Sequence, residues 1–227
     1  MTVLAGRTRI AVTIVWAAFF YTLWLSGDAG RYLGARTQWL VPFGAVTLTV
    51  ASALAWRSSR GRSPLRAAEA AGLFALLLPL ALVLLAPHAQ LGAYAASRKS
   101  SSFFPAVKPR PPATPRDVTL LDIRVAERDD LFALASHIHA GTHVSLLGLV
   151  TATGRDGFTL TRFYITCCIA DAQPISLDVL ASRRVRGNEW VQVTGTLRKG
   201  RANYVLAADR VAPRSAPRDP YLSFSSG

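Results

Sequence analysis

IAVTIVWAAFFYTLWL, residues 10–25, contains no charged side chain, and its reading decides the fold. Two further runs share that property, Trp39 to Trp56 and Ala70 to Pro87. Each comes close to the ~20 residues that cross a ~30 Å hydrocarbon core as a helix once interfacial neighbours are added. Trp24, Trp39 and Trp56 fall at or near the run ends, where indole rings favour the headgroup region. Pro79 interrupts the third run, and membrane helices accommodate proline when neighbours re-satisfy the freed carbonyl. A soluble helical core built from three such runs would have no polar face for water. A cleaved signal peptide would suit Arg7 and Arg9, but no clear small-x-small site follows Leu25 and the run is bulky and aromatic to its end. The expectation is an α-helical membrane part over residues 1–96, with three transmembrane helices at about 9–27, 38–56 and 68–87.

Composition fits a chain of two unlike parts. The 227 residues are 51% hydrophobic and 17% charged, with a net charge of +13. Residues 1–115 hold 12 Lys/Arg against 2 acids, residues 116–213 hold 12 against 10, and residues 214–227 hold 2 against 1. Basicity thus alternates with the apolar runs and forms no stripe on a folded domain, which argues against nucleic acid as partner. Arg7 and Arg9 precede the first run and Arg57, Arg60, Arg62 and Arg66 follow the second, against Arg31 and Arg36 between them. This asymmetry places the N-terminus in the cytoplasm of a multi-pass plasma-membrane protein and the C-terminal half outside.

Residues 97–116, SRKSSSFFPAVKPRPPATPR, are rich in proline and read as an extended linker. Phe103 and Phe104 within it suit contact with the bilayer or a partner. From Asp117 short alternating segments begin. Val118 to Val125 reads as a strand, Asp129 to His139 as a short helix, and Val144 to Thr151 as a strand. Gly154-Arg-Asp-Gly157 reads as a hairpin turn with Asp-Gly in positive φ, leading into a strand over Phe158 to Cys167. Strands over Pro174–Leu180, Trp190–Leu197 and Tyr204–Val211 follow. Such a pattern over 117–213 predicts a small all-β OB-like barrel, with 214–227 as a tail.

The sequence has no P-loop, GxSxG, HExxH or GxGxxG in a βα setting, so no recognisable catalytic motif is present. Chemistry concentrates in RFYITCCIADAQP, residues 162–174. Adjacent cysteines on a regular strand would face opposite ways, and a vicinal disulfide would be strained because neighbouring Cα atoms lie only ~3.8 Å apart. If the strand ends here, Cys167, Cys168 and Asp171 could bind zinc or another soft transition metal. The alternatives are a structural pair with Asp171 capping a turn, and a redox thiol with lowered pKa. His137, His139 and His143 form a second cluster, but Gly141 lies between the last two and breaks a shared helical face, favouring surface or capping roles. His88 reads as interfacial.

One resemblance follows. The three spans, Tyr32-Leu33, Trp39-Leu-Val-Pro42, Leu78-Pro79, Leu91-Gly92 and Arg98 precede Arg162-Phe163, Ile165-Thr166-Cys167-Cys168, Ala170-Asp171-Ala172, Pro174, Trp190-Val191, Gly195 and Pro217-x-x-Pro220-Tyr221-Leu222. This pattern resembles the YcgQ-like family of bacterial membrane proteins, described as permease subunits. The resemblance implies a multi-span membrane permease as partner, a role in metal supply, and Arg162, Thr166, Pro174, Pro220 and Tyr221 as partner or structural motif residues. The expected function is an accessory permease subunit in the lipid bilayer. The rivals are a membrane-anchored thiol redox protein and an envelope interaction protein.

Overall fold

A computed structural model of the chain describes residues 2–58, 67–85, 91–99, 110–114 and 117–222. It divides into two compact units, one of Met1–Tyr32 and Thr37–Ala89 and one of Leu33–Arg36 and Gln90–Gly227. The expected contacts of Phe103 and Phe104, the placement of His88, and most of the 97–116 linker lie outside the described residues.

The first unit is helical: α1 (Thr2–Ser26), α2 (Leu40–Arg57) and α3 (Ala67–Leu85). Small and β-branched residues let α1 and α2 approach closely. Val41, Ala45 and Ser52 are buried on α2, and Ile10, Val12 and Ala17 on α1. Polar groups between them are internally satisfied: Ser52 Oγ donates to Thr13 Oγ1 (2.8 Å), and Thr13 Oγ1 to the Ile10 carbonyl (2.8 Å). Trp16 Nε1 donates to the Leu76 carbonyl of α3 (3.2 Å), and Arg9 pairs with Glu69 (2.7 Å). The outer faces stay apolar, with Leu25, Phe43, Leu54 and Leu78 all exposed.

Two helices, rather than the expected three, are long and apolar enough to cross a membrane among the described residues: Thr8–Ser26 and Leu40–Arg57. The apolar stretch found in α3 is the shorter Ala71–Leu82. The residues of the run expected at 68–87 that follow Leu85 lie outside the described residues.

The second unit is built on a barrel. Its strands are β1 (His143–Thr153), β2 (Gly157–Tyr164), β3 (Gln173–Leu180), β4 (Trp190–Lys199) and β5 (Tyr204–Pro213). β1 pairs antiparallel with both β2 and β4, and β3 pairs parallel with β5, so the order β1-β2-β3-β5-β4 closes on β1. This closed five-stranded barrel fits the OB-like expectation. Alternate residues face inward, and Leu146, Leu160, Val179, Val193, Leu197 and Leu206 are almost wholly buried.

Two short helices share that core, α5 (Leu120–Ala126) and α6 (Asp130–Ser136). The expected strand over Val118–Val125 is therefore helical. Thr119 and Asp122 form a reciprocal capping box, in which each side chain accepts from the other's backbone N–H, at 3.3 and 2.8 Å. A satisfied helix start outweighs the alternation of the apolar residues. Burial holds the Asp122 carboxyl above its usual range, against the Thr119 hydrogen bonds.

The turn between β1 and β2 also differs in mechanism from expectation. Neither Asp156 nor Gly157 takes positive φ. Glycine is required at 157 because a Cβ there would overlap the Val179 carbonyl of β3. Gly157→Ala should therefore destabilise the barrel by about 1–3 kcal/mol, whereas Gly187→Ala, with open space around its Cβ position, should change stability by no more than about 0.5 kcal/mol. Unfolding of the full chain in detergent micelles measures both.

Candidate functional site

The residues singled out in the sequence converge where β2 leaves the barrel. β2 ends at Tyr164, short of the expected Cys167, and the chain turns through a 3-10 segment at Ile169–Asp171 before β3 begins. Asp171 organises this turn. Its Oδ1 accepts the Thr166 N–H (3.0 Å) and its Oδ2 accepts the N–H groups of Cys167 (2.7 Å) and Cys168 (3.4 Å). Cys168 Sγ in return accepts the Asp171 N–H. Cys-x-x-Asp has the spacing of a capping box, with a thiol where serine or threonine ordinarily stands.

Three remote segments complete the turn. Leu33 pairs with Cys168 as an isolated antiparallel bridge, and the Gly34 N–H donates to the Cys167 carbonyl (3.0 Å). A Cβ on Gly34 would lie 2.9 Å from the Thr166 carbonyl oxygen, so only glycine fits without displacement. Lys99, just after α4 (Ala93–Arg98), donates through Nζ to the carbonyls of Ala170 (3.2 Å) and Ala172 (2.6 Å). The Ile165 N–H donates to Leu222 in β6 (Tyr221–Leu222), which runs parallel to the end of β2. Phe163, Ile165, Ala172 and Tyr221 bury a small second core, against which Leu91, Ala95, Ala96 and Ile169 pack.

Arg162 fastens the tail. It donates from Nε to the Pro220 carbonyl (2.9 Å) and from Nη2 to those of Asp219 (3.1 Å) and Tyr221 (3.3 Å), with its guanidinium over the Trp190 ring. Burial pulls its pKa down, opposed by the charge of Asp219. Arg162, Pro220 and Tyr221 thus meet at one place. Pro174 pairs with Phe163 across β2 and β3, and Thr166 reaches the site through its backbone amide. Sequence reasoning missed Leu33, Gly34 and Lys99 as members of the site; the only sequence signal was the Tyr32-Leu33 segment in the resemblance.

Cys167 is exposed and Cys168 half-buried, and neither forms a disulfide. The Cys167 thiol is held above its ordinary range by partial desolvation, by the adjacent Cys168 and by the Asp171 carboxylate. That direction opposes a reactive thiolate. Asp171 directs its oxygens to amides, and among the described residues no three His, Cys, Asp or Glu side chains converge as metal ligands. The histidines separate. His137 caps α6 in the left-handed conformation, His139 Nδ1 lies 2.9 Å from the Ala140 carbonyl, and His143 pairs with Asp209 (3.3 Å) at the surface. α6 ends at Ser136, ahead of Gly141. A cavity of about 340 Å³ lies nearby, lined by Lys99, Arg124, Thr159, Ser176 and Asp178 among others.

Residues 133–222 match the family model of the DUF1980 C-terminal domain. The match begins in α6 and takes in the barrel, the Cys-Cys turn and β6, so the similarity speaks for this part of the chain and not for the helices of the first unit. No curated protein is similar enough to the chain to identify a relative.

Asp171→Ala should cost about 1–2 kcal/mol, as for loss of an N-cap, with faster hydrogen exchange at the Cys167 amide. Asp171→Asn removes the carboxylate charge beside Cys167 and should lower that thiol's pKa, so alkylation at a fixed pH near 8 should accelerate. An unchanged alkylation rate would show that the carboxylate does not bear on the thiol.

Proposed function

We propose that the chain is a non-enzymatic accessory subunit of a multi-span permease, held in the plasma membrane by three helices with its barrel outside. The observation that carries the reading is the pairing of Leu33 with Cys168. Leu33–Arg36 folds with the barrel, so the two share one side of any bilayer. From Arg36 the chain runs through α2 and α3 and then rejoins the same unit. Returning to one side requires an even number of crossings. If α2 spans, α3 spans with it, and α1 adds a third crossing that places the N-terminus opposite. The Lys/Arg bias, six before the first apolar run and between the second and third against two between the first and second, favours the cytoplasm for that N-terminus.

The runs 10–25, 39–56 and 70–85 hold no ionisable group of the kind from which transport paths are built. Their exposed bulky side chains suit lipid or the helices of another protein. Both features support an accessory role beside a separate permease. The exposed Cys167 turn is the surface offered to that partner or its substrate. With Asp171 bonded to amides and the Cys167 thiol above its ordinary range, the geometry favours a contact surface over a metal centre or a thiol exchanger.

In a cysteine-free background (Cys167→Ser with Cys168→Ser), Arg36→Cys should react with a membrane-impermeant maleimide on intact cells, whereas Ser63→Cys should react only after permeabilisation. Equal labelling of the two would overturn the three-crossing topology. Purification of the tagged chain from membranes should bring with it a multi-span permease; its absence from crosslinked samples would sink the subunit reading.

A further inference from the structure

Two loops at one end of the barrel enclose a cavity of about 300 Å³. One is the β1–β2 turn and the other is the stretch that follows β3. They are joined through their backbones where the Ala181 N–H donates to the Asp156 carbonyl (3.1 Å), and the first turn is itself closed by the Gly154 N–H donating to the Gly157 carbonyl (2.8 Å). Arg155, Arg183 and Arg184 all line the cavity, together with Thr153 and Ser182, and no acidic residue is among the residues that line it. Asp156 belongs to the same turn but meets the other loop through its backbone.

This concentration is not what the composition of the region would produce by default. Residues 116–213 carry 12 basic and 10 acidic side chains, yet three guanidinium groups line one concave surface without a carboxylate between them. Like charges so placed repel, and an anion held in the space between them lowers that repulsion. Arg183 is fixed in place, its Nη1 donating to the Val211 carbonyl (2.9 Å), which leaves the remainder of its planar fork for another acceptor. Guanidinium forks match the oxygens of phosphate in pairs, and the Thr153 and Ser182 hydroxyls add neutral donors. The volume lies at the lower end for ligand cavities, enough for a phosphate group with a small substituent. We propose that Arg155, Arg183 and Arg184 form a binding site for a phosphate-bearing anion, either a soluble phosphate ester or the headgroup of an anionic phospholipid.

The full chain in dodecyl maltoside micelles, which contain no phosphate, should bind inorganic phosphate saturably by calorimetry. Arg155→Gln with Arg184→Gln removes two forks from exposed positions and keeps Arg183 on Val211. Phosphate affinity should fall at least about tenfold in this double variant. The charge-matched control, Arg198→Gln with Arg201→Gln, lies outside the cavity lining and should bind as the parent does. Adding phosphatidylglycerol to the micelles separates the sources: a headgroup site would lose phosphate competitively, whereas a site for soluble esters would keep it. The proposal is overturned if phosphate does not saturate the parent chain, or if both double variants weaken binding equally, since the effect would then be one of net charge.

Discussion

The turn from Ile165 to Ala172 leaves a strand before its backbone can be satisfied by a neighbouring strand, and the arrangement around it follows from that constraint. Buried or half-buried amides and carbonyls must find partners. Asp171 takes the N–H groups of Thr166, Cys167 and Cys168. Gly34, Lys99 and Leu222 take what remains, each from a different region of the chain. These segments are joined to the turn chiefly by hydrogen bonds to its main chain, with only a small apolar core beneath them. A short polar break thereby gathers Leu33 and Gly34, the residue after α4 and the tail around one turn.

The tail shows how slight a strand can be when one side chain secures it. β6 has two residues, far below the length at which pairing is stable by itself. Arg162 supplies what the ladder lacks. Its guanidinium is largely withdrawn from water, and a withdrawn charge without acceptors is costly. The carbonyls of Asp219, Pro220 and Tyr221 provide those acceptors, so burial of the arginine and docking of the tail stabilise each other. Tyr221 then closes the small core beside Phe163.

The barrel was legible in the sequence because its signal is local. Alternation in 144–151, 174–180, 190–197 and 204–211 located four strands to within a few residues, since each strand has one face in the core. Val118–Val125 failed for a reason that was also present in the sequence: Thr119-x-x-Asp122 has the spacing of a helix start, and two reciprocal hydrogen bonds outweigh an alternation that does not extend across a sheet. At the candidate site the residue types were legible and their geometry was not. Cys167, Cys168 and Asp171 read equally as ligands or as a capped turn, because which way a carboxylate faces depends on the amides that β2 exposes when it ends at Tyr164. Leu33 and Lys99 carry no local signal, since their partners lie roughly 135 and 70 residues away in the chain.

Charge shows the same contrast between local and summed quantities. Residues 116–213 nearly balance, and that balance argues against an extended nucleic-acid surface. The arginines around the cavity at the barrel end do not reverse that argument. At physiological ionic strength exposed charges are screened beyond roughly 8 Å, so a cluster of three acts on whatever enters its concavity and little farther. Nucleic-acid affinity comes from neutralising many phosphates along a track, which calls for basic side chains spread over a face. Arg124 is paired with Glu127 (2.7 Å), and His143 with Asp209. Arg124 thus has an acidic neighbour, whereas Arg155, Arg183 and Arg184 line one concavity that no acidic residue lines. A surface of that kind selects a compact anion, and it does so in a domain whose net charge gives no hint of it.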